Sequence, residues 1–201
     1  VAGSAPRAAL VAQPRPSEVA LSHAQRRLWF LERLEGGSSA YTIPFAVRLK
    51  GALDVAALEG ALWDLVDRHE SLRTVFPDRV GVPRQEILAA GSVRPALEAT
   101  AVGEASLGAA LSAAAGRGFD LAVEPPLRAQ LYAVGDREHV LLLLLHHIAG
   151  DGWSLAPLWR DVAAFYSARL RGVAGGEAGG EAAGLPALPV QYADYTLWQQ
   201  A

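Results

Sequence analysis

Two adjacent histidines, His146 and His147, with an aspartate, Asp151, a turn later, are the side chains in this 201-residue sequence best suited to proton chemistry. A free imidazole titrates near a pKa of about 6.5, so it can accept, hold or release a proton close to neutrality. Neighbouring residues of an extended strand point to opposite faces, which gives the two histidines different tasks. One is expected to face a cavity and the other to face packing. By spacing alone, a satisfied hydrogen bond in the core is as good an account of either ring as catalysis. A metal site is not expected. The chain has no cysteine and no helical His-x-x-x-His spacing, so a metal would have to recruit distant carboxylates or His23, His69 or His139.

The elements that must position the pair can be read around it. Residues 140–145 are six consecutive aliphatics, too few to cross a bilayer and, after the turn-prone Gly135-Asp136-Arg137, typical of a strand buried on both faces. Residues 127–134 precede that turn and predict an antiparallel partner. Beyond the histidines, Gly150-Asp151-Gly152 marks a short turn. From Ser154 onward, Leu155, Leu158, Trp159, Val162, Phe165, Tyr166 and Leu170 recur at helical spacing. The histidines therefore sit where a rigid strand gives way to a loop and a helix, a common place for chemistry.

The remaining chain supplies the frame. Residues 1–17 carry three prolines among small residues and read as a linker with no periodic element. Ser22 and Gln25 form a capping-box pattern ahead of a helix whose stripe is Ala24, Leu28, Leu31 and Leu34, stopped by Gly36-Gly37. Residues 41–50 alternate as a half-buried strand, with Pro44 indicating an edge or bulge. Asp54 caps a second helix with Val55, Leu58, Leu62, Leu65 and Val66 on one face, and residues 72–76 read as a short strand. Short strands are expected between 79 and 103 and a helix over 105–115. Residues 172–187 read as a flexible spacer and 188–201 as a final helix. Tyr192, Tyr195 and Trp198, at three-residue spacing, are read as packing. The interleaving of strands and helices without a regular βαβ rhythm predicts an α/β fold of the α+β sandwich kind, with a mostly antiparallel or mixed sheet and residues 18–171 as its body.

Composition excludes several functions. A net charge of −3, one lysine against seventeen arginines and no basic block give no nucleic-acid surface. No stretch reads as a membrane span or signal peptide, and the absence of cysteine removes disulfides and thiol catalysis, so a cytoplasmic location is expected.

His146-His147-Ile148-Ala149-Gly150-Asp151-Gly152 resembles the His-His-x-x-x-Asp-Gly signature of the condensation domains of nonribosomal peptide synthetases, relatives of chloramphenicol acetyltransferase. Residues 21–31, 68–76 and 191–199 resemble three further segments of that family in the expected order. The resemblance implies a chloramphenicol acetyltransferase-like lobe. It implies amide formation between aminoacyl or peptidyl thioesters carried on the phosphopantetheine arms of donor and acceptor carrier proteins, with no intrinsic cofactor. His147 takes the role of holding or deprotonating the acceptor amine and His146 supports it. Gly152 lets the backbone pass close to the thioester, and Asp151 orders the turn through a salt bridge for which Arg68 and Arg73 are the candidates. A simple helix cap is the alternative role for Asp151. The first helix is implied to lie near the entrance used by a carrier protein.

Both motif histidines are kept, unlike in heterocyclising relatives, and residues 21–31 differ from the epimerising type, which ranks second. The surrounding sequence is most similar to the subtype joining two L-configured units. All matched segments belong to the family's first lobe, so the site is expected to need a C-terminal lobe and to have little activity without it. Two other readings stand beside this one: an inactive lobe that binds carrier proteins, and a small acetyltransferase closed by oligomerisation.

Overall fold

The computed structural model describes residues 9–173 and 180–201. Its elements, in chain order, are β1 (Val19–Ala20), α1 (His23–Glu35), β2 (Thr42–Lys50), α2 (Val55–Arg68), β3 (Thr74–Val75), β4 (Asp78–Arg79), β5 (Val82–Ile87), β6 (Ala99–Ala101), α3 (Glu104–Ala115), β7 (Leu127–Gly135), β8 (Glu138–His146), α4 (Gly152–Leu170) and α5 (Tyr192–Gln200). The principal sheet runs β2-β8-β7-β6. Its β2-β8 and β8-β7 pairs are antiparallel, and β6 lies parallel to β7. A second small sheet is built around β5, which pairs with β1, β3 and β4.

β8 is the central strand, and its unbroken aliphatic run is explained by cover on both faces. Leu141, Leu143 and Leu145 pack with Leu58, Leu62, Leu65 and Val66 of α2 and Leu158, Val162 and Phe165 of α4. Val140, Leu142 and Leu144 pack the other way, against Leu107 of α3, Phe119, Leu121 and, less deeply, Leu28 and Trp29 of α1. Fixed from both sides and paired along both edges, β8 is a stiff mount for the residues at its end. Pro44 is tolerated because β2 is an edge strand.

The caps follow the sequence. Ser22 and Gln25 form the capping box of α1, Gly36 ends it in the left-handed conformation, and Asp54 accepts the Ala57 N–H at 2.9 Å to start α2.

The expected face of α1 is corrected. Leu34 is 72% exposed and Ala24 is also exposed, whereas Gln25 and Glu32 are buried. The helix is turned so that two polar side chains point inward, because each meets a polar partner there: Gln25 meets Ser22 and Gln85, and Glu32 meets His146.

Residues 72–76 are also not one strand. A 3₁₀ turn over Glu70–Arg73 precedes the two-residue β3, so Arg73 ends a turn.

Of the expected linker, residues 1–8 lie outside the described residues. The part from residue 9 is docked: Gln13 N–H donates to Asp194, and Arg15 bridges Asp194 and Glu70. Of the expected spacer, 174–179 lie outside the described residues. After them, a 3₁₀ turn over Glu181–Ala183 leads to Leu185, which is buried in the core beside α2 and α4. No helix among the described residues is long and apolar enough to cross a membrane.

Candidate active site at the end of strand β8

β2 and β8 pair in continuous register from Lys50 opposite Glu138 to Thr42 opposite His146, and the His147 N–H donates to the Tyr41 carbonyl at 2.8 Å. The ladder thus holds the backbone of both histidines. Their side chains part as the pleat requires. His146 is fully buried, edge-on to Phe119 with ring centres 5.8 Å apart, whereas His147 is exposed.

The hydrogen bonds of His146 define its proton. The Ile148 N–H donates to its Nδ1 at 3.0 Å, so in the neutral ring the hydrogen must sit on Nε2, 3.4 Å from a carboxylate oxygen of Glu32. Burial, reinforced by the neighbouring His147, pushes the His146 pKa down to about 4, so the ring is neutral at pH 7. Glu32 is raised above the ordinary carboxylate range by its own burial and then by Glu35. Its second oxygen, Oε1, is buried and has no hydrogen-bond partner among the described residues.

Asp151 and Gly152 open α4. The Asp151 carboxylate accepts from the N–H groups of Trp153 (3.0 Å) and Ser154 (3.1 Å), while Ser154 Oγ accepts from the Asp151 N–H at 3.1 Å. This reciprocal capping box corrects the expected salt bridge, because neither proposed arginine reaches Asp151. Arg68 Nε is 2.9 Å from Asp161, and a further N–H of its guanidinium donates to the Pro186 carbonyl at 2.7 Å. Arg73 donates to the Leu88 carbonyl and lies 3.9 Å from Glu70. The physical reason is burial. Asp151 is exposed and can be satisfied by backbone and water, whereas Asp161 is fully buried on α4 and requires the cation.

Asp161 is the functional-looking residue that the sequence reading overlooked. It takes Arg68 and the His69 Nε2 (2.8 Å) on one oxygen and Arg160 on the other, and its pKa falls to about 2. Burial alone would raise that value, and these partners overcome it. The signal was present: an acid inside the stripe Leu158, Val162, Phe165 must bury and must find a cation.

A Cβ at Gly152 would meet open space, so no neighbouring atom of the chain crowds that position. At Gly150 a Cβ would lie 2.8 Å from Leu145 Cδ2 and 3.2 Å from Ser154 Cβ, which makes Gly150 the sterically demanded one.

One cleft adjoins the motif and another lies beside two residues that contact the His146 ring. The first, of about 370 Å³, is lined by Leu145, Ala149 and Ser154 from the motif side and His69, Tyr192 and Tyr195 opposite; the other, of about 410 Å³, lies between Glu32 and Phe119.

Among the described residues no group of three His, Asp or Glu could hold a metal ion.

A family model described as "Condensation domain" matches residues 16–201. The chain belongs to the condensation-domain family. The curated proteins that it matches include nonribosomal peptide synthetases. The chain is 52% identical over 192 residues to the dimodular nonribosomal peptide synthase of Bacillus subtilis, covering 96% of this chain and 8% of that protein. It is 48% identical over 194 residues to the isonitrile lipopeptide synthase of Mycobacterium tuberculosis, covering 95% of this chain and 7% of that one.

Among solved structures, the X-domain from teicoplanin biosynthesis, in complex with OxyB, superposes with a TM-score of 0.88 at 39% identity over 98% of this chain and 41% of that one. The starter condensation domain of the rhizomide synthetase RzmA gives a TM-score of 0.69 at 26% identity, over 79% of this chain and 39% of that one. The chain thus spans less than a tenth of these curated synthetases and about two fifths of the solved chains. Its fold is the chloramphenicol acetyltransferase-like fold of this family.

Proposed function

We propose that this chain is the N-terminal lobe of a condensation domain that joins aminoacyl or peptidyl thioesters, both tethered to carrier-protein phosphopantetheine arms, most closely of the type linking two L-configured units. In this reading the acceptor α-amine attacks the donor thioester carbonyl, forming the amide C–N bond as the C–S bond breaks and the thiol leaves. His147 receives the ammonium proton or holds the amine by a hydrogen bond. Proton transfer by a placed group contributes roughly 10²–10⁴-fold, and orientation alone can contribute several kcal/mol. His146 supports the turn from inside, and Asp151 and Gly152 form the start of α4. The surrounding synthetase would be cytoplasmic, and its partners here are the donor and acceptor carrier proteins and a C-terminal lobe.

The observation that carries the reading is the exposure of the His147 ring at the terminus of a strand otherwise sealed on both faces. The test is amide formation between two loaded carrier proteins, comparing this chain with one extended beyond Ala201. Product from the extended chain alone is expected, and His147→Ala in that chain should lower the rate by about 10²–10⁴-fold. An equal rate from the shorter chain would refute the need for a second wall, and an unchanged rate in His147→Ala would refute the role of that ring.

A second reading, a lobe that binds partners without chemistry, is favoured by the overlap with the X-domain, which was solved in complex with OxyB. It predicts carrier-protein binding that survives His147→Ala and no amide product from either length of chain.

A further inference from the structure

We propose that Glu32 of α1 is a positioning residue for the motif: it accepts the Nε2–H of His146 and thereby fixes the ring that anchors the turn from which His147 projects. The link to activity rests on the reading of His147 given above, whereas the link to His146 stands on geometry alone.

The argument begins with the rotation of α1. With Leu28, Leu31 and Leu34 available, this helix could bury an apolar stripe, yet it exposes Phe30 and Leu34 and buries Glu32. Burying a carboxylate is costly unless something in the interior requires it. His146 is that requirement. Its Nδ1 is occupied as an acceptor by the Ile148 N–H, so the neutral ring presents Nε2–H into a fully buried space beside Phe119. Buried N–H groups are nearly always paired. Glu32 Oε2, at 3.4 Å, is the acceptor the fold brings to it.

The chain of contacts is then continuous, from α1 through the Glu32 carboxylate and the His146 imidazole to the Ile148 N–H. Together with the bond from the His147 N–H to the Tyr41 carbonyl, it pins the backbone on both sides of residue 147. Gly37 and Gly118 also line the cleft beside Glu32, where their backbones approach so closely that a Cβ at Gly118 would lie 1.9 Å from the Gly37 carbonyl oxygen.

The five histidines of the chain make nitrogen-15 labelling of imidazoles practical. Long-range proton–nitrogen correlation on the wild-type chain is expected to show His146 as a single neutral tautomer, protonated on Nε2, at pH 7. A His146 protonated on Nδ1 would overturn the proposal without any variant being made. Glu32→Gln keeps an oxygen acceptor and should keep that tautomer. Glu32→Leu should lose the protected Nε2–H signal and shift the His147 ring resonances. A Glu32→Leu spectrum identical to wild type would also overturn it.

In the chain extended through its second lobe, Glu32→Leu should lower kcat at least tenfold with KM for the carriers within twofold, and Glu32→Gln should recover most of the loss. An unchanged kcat in Glu32→Leu, with His147→Ala inactive, would refute the positioning role while leaving the proposed function intact. The predicted spectra together with an active His147→Ala would do the opposite.

Discussion

Two buried carboxylates lie on opposite sides of β8, and the fold treats them differently. Asp161, on the α2 and α4 side, is met by two arginines and a histidine, and both of its oxygens are engaged. Glu32, on the α1 and α3 side, has one neutral imidazole at 3.4 Å and an oxygen with no partner among the described residues. The first arrangement lowers the acid's pKa and the second raises it. Full pairing ties α4 to the end of α2 and so holds the fold together. Partial pairing does little for stability, and it occurs where the carboxylate touches the motif. A buried polar group left short of partners is a cost that structures tend to retain for reasons other than stability.

Mutating each acid is the most direct way to break this comparison. Asp161→Ala strands Arg68, whose side chain is 5% exposed, and should cost about 3–5 kcal/mol in denaturant unfolding. Glu32→Gln removes a desolvated charge while keeping an acceptor and should leave stability within about 1 kcal/mol of wild type, or raise it. Similar losses in the two variants would erase the distinction.

The pH profile gives the next largest effect. His146 titrates near 4 when folded but near 6.5 when unfolded, so the unfolded chain takes up a proton first as pH falls. Stability should therefore decline between about pH 6.5 and 4, by up to roughly 3 kcal/mol. Glu32, raised in the folded state, works in the opposite sense and offsets part of the loss. Asp161 adds a second decline from about pH 4 toward 2, where its folded carboxylate is finally protonated. Urea unfolding at a series of pH values checks both ranges, and a flat profile from 6.5 to 4 would exclude a neutral buried His146.

Smaller effects separate the residues of the turn. Gly150→Ala should cost about 1–3 kcal/mol through its clash with Leu145 and Ser154. Asp151→Ala should cost about 1 kcal/mol as a lost helix cap. Gly152→Ala, facing open space, should stay within about 0.5 kcal/mol of wild type. Thermal melts rank the three, and a reversed order would mean that the turn is held by something other than sterics and capping.

Much of this was legible in the residues. Periodicity located β8, its hairpin partner and the helices α2 and α4, because each buries a stripe whose period survives in sequence. The pleat separated His146 from His147, though it did not say which was inside. What escaped were the polar exceptions to the pattern. Glu32 and Asp161 interrupt apolar faces, and their charge argues for solvent while their position argues for the interior; each is held inside by a partner from a distant part of the chain. The arginine for Asp151 could not be chosen between Arg68 and Arg73 because the acid that needs the cation is Asp161, and only three-dimensional burial shows that. The roles of residues 9–17 and 180–187 were hidden because docking by a single arginine or a single leucine leaves no periodic trace.

The register of β2 against β8 has a practical consequence. The chain's one lysine, Lys50, lies at the far end of this ladder from Thr42 and His146, about 27 Å away at roughly 3.4 Å per residue, and its side chain is largely exposed. An amine-reactive dye therefore has a single side-chain target in this chain, on the rim opposite His146 and His147. Fluorescence from that position could follow the arrival of a second protein at the histidine end while leaving that end chemically untouched.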